Sequence, residues 1–302
     1  MLDIVVVNWN GGARIWECVS SVASFEGGCL ASLVVVDNGS TDGSDSSIEA
    51  MPRVNLIRAG KNLGFGKACN LGARHGSAEF LLFLNPDTRL FPDTLAESLI
   101  FMRSDAARDV GICGVQLLDE GGQVSRSCSR FPTPRTILAR ATGLDRSFPS
   151  WGSRMSEWDH LTSRRVDQVI GAYFLIRRSL FEAHGGFDER FFVYYEEVDL
   201  ARRCADAGAQ SWYIATTQAF HAGGGTSHQV KAHRLFYSLR SRLQYAQKHF
   251  SARGLFAVLI ATWLLEPFAR GIRALVNGEA GELREIARAY SWLLSWTLRR
   301  GA

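Results

Sequence analysis

Phe80-Leu81-Leu82-Phe83-Leu84-Asn85-Pro86-Asp87-Thr88 is the stretch on which the fold turns. Five large apolar residues in a row describe a strand buried on both faces, the pattern of a parallel sheet covered by helices. Pro86 cannot donate to a ladder, so the strand stops there and leaves the Asp87 carboxylate at its C-terminal end, beside the Asn85 amide. In open α/β sheets ligands collect along that edge. A carboxylate placed there suits a hard divalent cation that keeps its waters and also binds substrate phosphates. Asn-Pro-Asp is equally good turn chemistry, and the stretch alone favours the plain turn.

Upstream, Leu2–Val7 reads as a buried strand that runs into the loop Asn8-Trp9-Asn10-Gly11-Gly12, with a helix expected over 13–25. Leu33–Asp37 is a second strand, followed by Asn38-Gly39-Ser40-Thr41-Asp42-Gly43-Ser44, whose residue types cap helices. A short strand Val54–Arg58 leads through Gly60–Gly66 into a helix ending near His75. This alternation predicts an α/β fold with a mainly parallel sheet and helices on both faces. Downstream, a helix from Pro92 to about Ser104 and a strand Val110–Val115 are expected, after which 119–165 loses periodicity and is rich in Ser, Arg, Gly and Pro. A run of that kind is mobile or functional. Val166–Arg177 reads as one strand crossing a bulge at Gly171, and Trp212–Ile214 as the last strand, delivering Phe220–Ser227 to the same sheet edge.

The apolar share of 46% among 302 residues supports a sizeable core. From Val230 onward twelve Lys/Arg face four Glu, a net of +8, which leaves −4 on residues 1–229 of the overall +4. A basic, helical tail of that kind meets an anionic surface. Trp263, Trp292 and Trp296 among its arginines suggest amphipathic helices lying on an anionic membrane; a helical hairpin or a homodimer interface is the alternative. Only the tail's charge points to nucleic acid, and nothing else supports it. Gly254–Leu265 is uncharged but broken by Glu266-Pro267, too short to span a bilayer. The N-terminus has no basic n-region of a signal peptide, and six cysteines without Cys-x-x-Cys spacing fit reduced thiols in a cytosolic setting.

Set side by side, Val34–Ser44, Asn62–Asn70, Leu84–Thr88, Gly171–Arg178 and Glu196–Arg203 resemble the motifs of the family 2 inverting glycosyltransferases, and more closely their bacterial rhamnosyltransferase branch, over roughly residues 2–228. The resemblance implies a GT-A fold: a nucleotide-sugar half (1–118) and an acceptor half (119–229), here followed by the basic amphipathic helical tail (230–302). It also implies a dTDP- or UDP-sugar donor, L-rhamnose foremost, Mn2+ or Mg2+ as cofactor, and a lipid-linked glycan acceptor met at the cytoplasmic face of the bacterial plasma membrane. A non-catalytic sugar-nucleotide-binding subunit is the reading from another class.

The same resemblance assigns roles to residues. Asp87 and His221 would hold the metal, with Asn85 standing where the family has the first carboxylate of its Asp-x-Asp motif. Asp37 would accept from the ring N3–H of uracil or thymine, its alternative being a helix cap, and Val7 and Asn8 would line the same nucleotide pocket. Asn62, Gly64 and Asn70 would lie along the donor, with Gly64 and Gly171 allowing close backbone approach. Glu197 would be the catalytic base, with Glu196 and Asp199 raising its pKa by like-charge repulsion; the alternative is an ordinary acidic first turn. Arg202 and Arg203 could reach phosphate or be solvated.

Overall fold

The structure, a computed structural model, describes residues 1–25, 27–223 and 231–301. Gly224–Ser227 of the expected edge loop and the expected domain boundary at 229/230 lie outside the described residues. The alternation begins as β1 (Leu2–Asn8), α1 (Arg14–Phe25), β2 (Leu30–Asp37), α2 (Ser46–Glu49), β3 (Val54–Arg58), α3 (Phe65–Ala73) and β4 (Phe80–Leu84). β1 and β4 are buried along their whole length because helices cover both faces of the sheet there. The chain continues through β5 (Thr88–Leu90), α4 (Thr94–Arg103), β6 (Val110–Leu118), β7 (Cys128–Ser129), α5 (Pro134–Thr142) and α6 (Leu144–Ser147). Then come β8 (Arg164–Val166), β9 (Gln168–Val169), β10 (Tyr173–Arg177), α7 (Arg178–Ala183), α8 (Glu196–Asp206) and β11 (Gln210–His221). The described helices that close the chain are α9 (Lys231–His249), α10 (Ala252–Ile260), α11 (Glu266–Val276) and α12 (Ala280–Gly301).

The nine-stranded sheet has the order β3-β2-β1-β4-β10-β6-β11-β5, with β8 beside β11. β1, β2, β3, β4, β6 and β11 run one way, while β10, β5 and β8 oppose them. The fold is therefore a mainly parallel α/β sheet with a helical C-terminal region. By internal contacts the chain forms two compact units. The first comprises Met1–Arg130, Trp158–Phe192 and Glu196–Thr226, and the second Phe131–Glu157, Val193–Tyr195 and Ser227–Ala302. In the first, Ile4, Val6, Val35, Phe80, Leu82, Leu84 and Leu175 pack together on one face of the sheet, and Phe83, Phe174, Phe181 and Phe187 meet on the other. The second has its own core, in which Ile137 and Ala141 pack with Leu239, Leu243, Val258 and Leu293.

Three expectations change. Val166–Arg177 is not one strand: β8 pairs with β11, β9 with β7 in a separate two-stranded sheet, and β10 inserts between β4 and β6. The three pieces take different sheet neighbours, and just ahead of β10 the Ala172 carbonyl accepts from the Asn85 amide (3.1 Å), the next position of the β10–β4 register, and from the Thr88 hydroxyl (3.2 Å). The segment 119–165 is not structureless, for α5 starts at a capping box of Thr133 and Thr136 with Pro134 in its first turn. Finally, Glu266-Pro267 does not end the apolar helix. A π-turn over Ala261–Leu265 joins α10 to α11, shifting the hydrogen-bond pattern ahead of the proline.

Arg178 and Asp3 link the front of β1 to the strand-helix junction at β10–α7. Arg178 Nη2 lies 2.7 Å from Asp3 Oδ2, which also accepts from the Ala78 amide at 2.7 Å. Both side chains are nearly buried, so removing Asp3 leaves the Arg178 charge with only the longer contact to exposed Glu182 (3.4 Å) and backbone carbonyls. Asp3→Ala is expected to cost about 3–5 kcal/mol of stability, read as a lowered urea midpoint with an unchanged slope.

Candidate active site

Three parallel strands end together. Asn8 lies opposite Asp37 and Val6 opposite Leu84, so Val7, Asn8, Asp37 and the Asn85–Asp87 turn share one edge of the sheet. Asn8 is wholly buried, and its Nδ2 donates to Asp37 Oδ1 (3.1 Å) and Ser44 Oγ (2.9 Å), while the Ser40 amide donates to Asp37 Oδ2 (3.2 Å). Asn8 thus orients Asp37 from behind. Asp37 does not cap the following helix, whose N-cap position is Asp45; that alternative falls away.

The third loop is fastened to this edge by Asn38. Its Oδ1 accepts from the Leu63 amide (2.8 Å) and its Nδ2 donates to Asn62 Oδ1 (3.1 Å), which also accepts from the Gly64 amide (2.9 Å). Gly64 has a φ of +86°, and a Cβ there would collide with the carbonyl oxygen of Phe192. That carbonyl in turn accepts from the Phe65 amide at 2.7 Å. The glycine is therefore demanded by the protein's own backbone rather than by close approach of a donor. Asn70, expected along the donor, spends its side chain on Phe187: Nδ2 donates to the carbonyl and Oδ1 accepts from the amide, both at 2.9 Å. It latches α3 to the turn ahead of α8. A Cβ on Gly171 would make only an ordinary contact of 3.8 Å with Phe65, so no protein atom requires glycine at that position.

At Asp87 the turn and the carboxylate readings merge. The Thr88 amide closes the turn on the Asn85 carbonyl (3.1 Å), and β5 then pairs with β11 so that Thr88 sits opposite His221. His221 Nε2 comes within 3.3 Å of Asp87 Oδ1. Burial acts to raise the Asp87 pKa, but the hydrogen bond and charge of His221, with Arg14 nearby, outweigh it and hold the carboxyl below its ordinary value. Arg14 and Arg89 line a pocket of about 210 Å3 with Asp87 and are braced by Glu120 (3.1 Å) and Glu17 (3.6 Å) respectively. No three His, Cys, Asp or Glu cluster as a metal cage among the described residues. A carboxylate and an imidazole fit a divalent cation that completes its shell with water and substrate oxygens.

Glu196 and Glu197 open α8. Glu196 is 3% exposed and packs on α3, where a Cβ on Gly66 would lie 3.4 Å from its own Cβ. Glu197 is half-buried, and Oε2 of each glutamate has no hydrogen-bond partner. Burial raises the pKa of both, and the charge of Glu197 adds to the effect at Glu196. Desolvation is thus the larger cause, and Asp199 is not one of the groups that raise Glu197. Asp199 is instead paired with Arg203 at 2.8 Å, and Arg203 also donates to the carbonyls of His184 and Gly186. Arg202 pairs with Asp206 at 2.9 Å on the outer side of the helix. Tyr194 and Tyr195 enter the helix with φ of +67° and +72°, consecutive left-handed non-glycine residues of the kind retained at functional sites.

A family model for glycosyl transferase family 2 matches residues 3–185. This chain belongs to that family. An N-acetylglucosaminyl-diphospho-decaprenol L-rhamnosyltransferase of Mycobacterium tuberculosis is 30% identical over 73% of this chain and 76% of its own length. The dTDP-rhamnosyl transferase RfbF of Shigella flexneri is 24% identical over 66% of this chain and 62% of its own. Among solved structures, the mannosyltransferase PcManGT of Pyrobaculum calidifontis, in complex with GDP-Man and Mn2+, superposes with a TM-score of 0.57 at 19% identity, covering 97% of this chain and 75% of its own. S. aureus TarS in complex with UDP-GlcNAc gives 0.53 at 14%, covering 99% and 92%. The fold shared with these structures is GT-A.

Sequence reasoning about this family 2 glycosyltransferase missed Asn38, Arg14 and Arg89. Asn38 directly follows Asp37 and carried a signal as the first residue after a strand end. Arg14 and Arg89 carried none, since α1 and β5 meet Asp87 only through tertiary pairing.

The raised Glu196 pKa has a stability consequence of definite sign. Below the ordinary glutamate value of 4.5 both folded and unfolded chains are protonated and nothing is lost; between 4.5 and the raised value the unfolded chain ionises while the buried folded carboxyl keeps its proton, so stability falls across that window and stays lowered above it. Glu196→Gln is therefore expected to raise the Tm at neutral pH, by a margin that shrinks to nothing below about pH 4.5. Melting curves of both proteins across pH check this.

Proposed function

We propose that this glycosyltransferase moves L-rhamnose from dTDP-rhamnose, with inversion, onto a lipid-linked saccharide in cell-surface polysaccharide synthesis. The reading is carried by one observation: a half-buried Asp87–His221 pair at the parallel strand ends, in the same compact unit as a half-buried glutamate with an unpartnered oxygen at a helix start. The names of the relatives, which specify a rhamnosyl donor and a diphospho-decaprenol acceptor, support the substrates.

Asp37 accepts from the N3–H of the base and Asn8 keeps its carboxylate in place. Asp87 and His221 would hold a divalent cation, and the imidazole would favour Mn2+ over Mg2+. When bound, that cation offsets the charge of the leaving diphosphate. Arg14 and Arg89, beside Asp87, add positive charge on the same side. Glu197 takes the proton of the acceptor hydroxyl as its oxygen bonds the anomeric carbon; the bond from that carbon to the diphosphate oxygen breaks, and the nucleoside diphosphate leaves with the electron pair. Glu196 stays protonated next to it, so the second charge does not oppose ionisation of the first. The nucleotide half, 1–118, binds donor, and 119–229 contributes to the acceptor side. A lipid-linked acceptor places the enzyme at the cytoplasmic membrane face as a peripheral protein.

Purified protein incubated with Mn2+ and a panel of dTDP-, UDP- and GDP-sugars is expected to release dTDP from dTDP-rhamnose, with loss of activity in Asp87→Ala. With a lipid-linked acceptor, Glu197→Gln is expected to lower kcat by roughly 10²–10⁴-fold while donor binding persists. Release of another nucleotide would change the donor; a silent Asp87→Ala effect would overturn the site. Because Glu197 must be ionised to act and its pKa is raised, the rate is expected to climb with pH through an acidic limb above 4.5.

A further inference from the structure

In the second compact unit the tryptophans of the closing helices pack against neighbouring side chains. Trp263 packs edge-on to Tyr290, Trp292 contacts His233 and Phe236, and Arg240 lies over Trp296. The residues left facing solvent are different ones. The continuous helix Ala252–Val276 is long and apolar enough to cross a membrane by length and composition. It exposes Phe256, Leu264, Phe268, Ile272, Leu275 and Val276, with Phe268 71% and Val276 80% accessible. From Leu264 to Val276 these recur at intervals of three and four, which puts them on one stripe. Monomeric soluble proteins rarely leave so contiguous an apolar face uncovered.

The opposite face of the same helix is committed to the unit. Val258, Ala261, Thr262 and Ala274 are buried, and Glu266 is held by Arg242 and Arg270, each at 2.6 Å. Crossing a bilayer would expose that ionised cluster to hydrocarbon, which its cost forbids; lying in the plane of the interface leaves it intact.

Charge beside the stripe indicates what covers it. Gly254 abuts Pro134, so the start of the apolar helix lies against the start of α5. From there the chain presents Arg135, Arg140, Arg146 and Arg154, all exposed and none in an ion pair among the described residues. Arg135 lies 5.0 Å over the ring of Trp151, which stacks on exposed Phe148. Arg140 and Arg146 lie close enough to Arg154 to depress its pKa, with Asp145 alone acting the other way. Like charges gathered without partners next to an apolar stripe and exposed aromatics complement phosphate headgroups above acyl chains.

We propose that the stripe of Ala252–Val276, flanked by the arginine and aromatic cluster of 135–154, is a docking surface for an anionic phospholipid bilayer, with the helix lying in the interface plane. This goes beyond the proposed transfer reaction and does not need it: vesicles without donor or acceptor test it. The full chain is mixed with sedimentable vesicles of phosphatidylcholine alone or with phosphatidylglycerol added. The wild type is expected to pellet with the anionic vesicles, and Phe268→Glu/Ile272→Glu to bind them roughly tenfold or more weakly. Arg140→Glu/Arg146→Glu is expected to lose roughly tenfold of the preference for phosphatidylglycerol. All variants should keep the wild-type circular dichroism and donor hydrolysis, which separates failure here from failure of the catalytic reading. Alkaline carbonate should release the bound protein; resistance to it would overturn the in-plane arrangement. Equal binding by wild type and Phe268→Glu/Ile272→Glu would overturn the surface. So would a wild-type dimer that this variant converts to monomer without altering vesicle binding, since the occupant would then be a second copy.

Discussion

The carbonyl of Ala172 is the constraint on which the candidate site depends. It accepts at once from the Asn85 amide and the Thr88 hydroxyl, and so fixes both ends of the turn that carries Asp87. Once the turn is fixed, β5 is aimed at β11 and the pairing of Thr88 with His221 follows. The Asn85 bond carries the antiparallel β10–β4 register one residue beyond the Tyr173–Leu84 pair, so the turn is anchored on the sheet itself. A single backbone oxygen therefore ties the end of β4 to the turn at which the candidate ligands meet.

A second chain of contacts runs from the strand ends to the acidic helix. Asn8 orients Asp37, Asn38 fastens the loop at Asn62–Gly64, and Gly64 admits the Phe192 carbonyl four residues ahead of Glu196. Each link is a polar side chain or a glycine whose replacement would leave a buried group unpaired or a backbone in collision. The buried carboxyls at the end of this chain are costly in isolation, and it is the surrounding structure that holds them there. A base whose pKa is lifted by desolvation is better matched to proton transfer near neutrality than an exposed glutamate.

Much of the fold was legible in the chain. The strands at Leu2, Leu33, Val54 and Phe80 and their helices announce themselves because uninterrupted β-branched and apolar runs fit only a sheet covered on both faces. What misled was local chemistry with two outcomes. Gly171-Ala172 reads as a bulge within one strand, and is the point at which β9 and β10 part, β8 having already left at Asp167. Glu266-Pro267 looked like a stop, and was absorbed by a π-turn together with two arginines that neutralise the glutamate. The tail tryptophans, expected to face a membrane, pack against side chains of neighbouring helices, because which face of a helix is buried is fixed by its neighbours and not by its own pattern.

By itself the sequence determined the parallel α/β core, the family, and the carboxylates at 37, 87, 196 and 197, because hydrophobic runs, strand-ending residues and motif order are properties of neighbouring positions. Only the tertiary structure decided what those residues do for one another. It brought His221 to Asp87 across 134 positions of chain, gave Asn70 and Gly64 to the protein's own backbone, and set Arg14 and Arg89 beside the Asp87 carboxylate. The reason is physical: hydrogen bonds, desolvation and steric exclusion act between atoms close in space, and strand pairing across a sheet makes neighbours of residues that the chain keeps far apart.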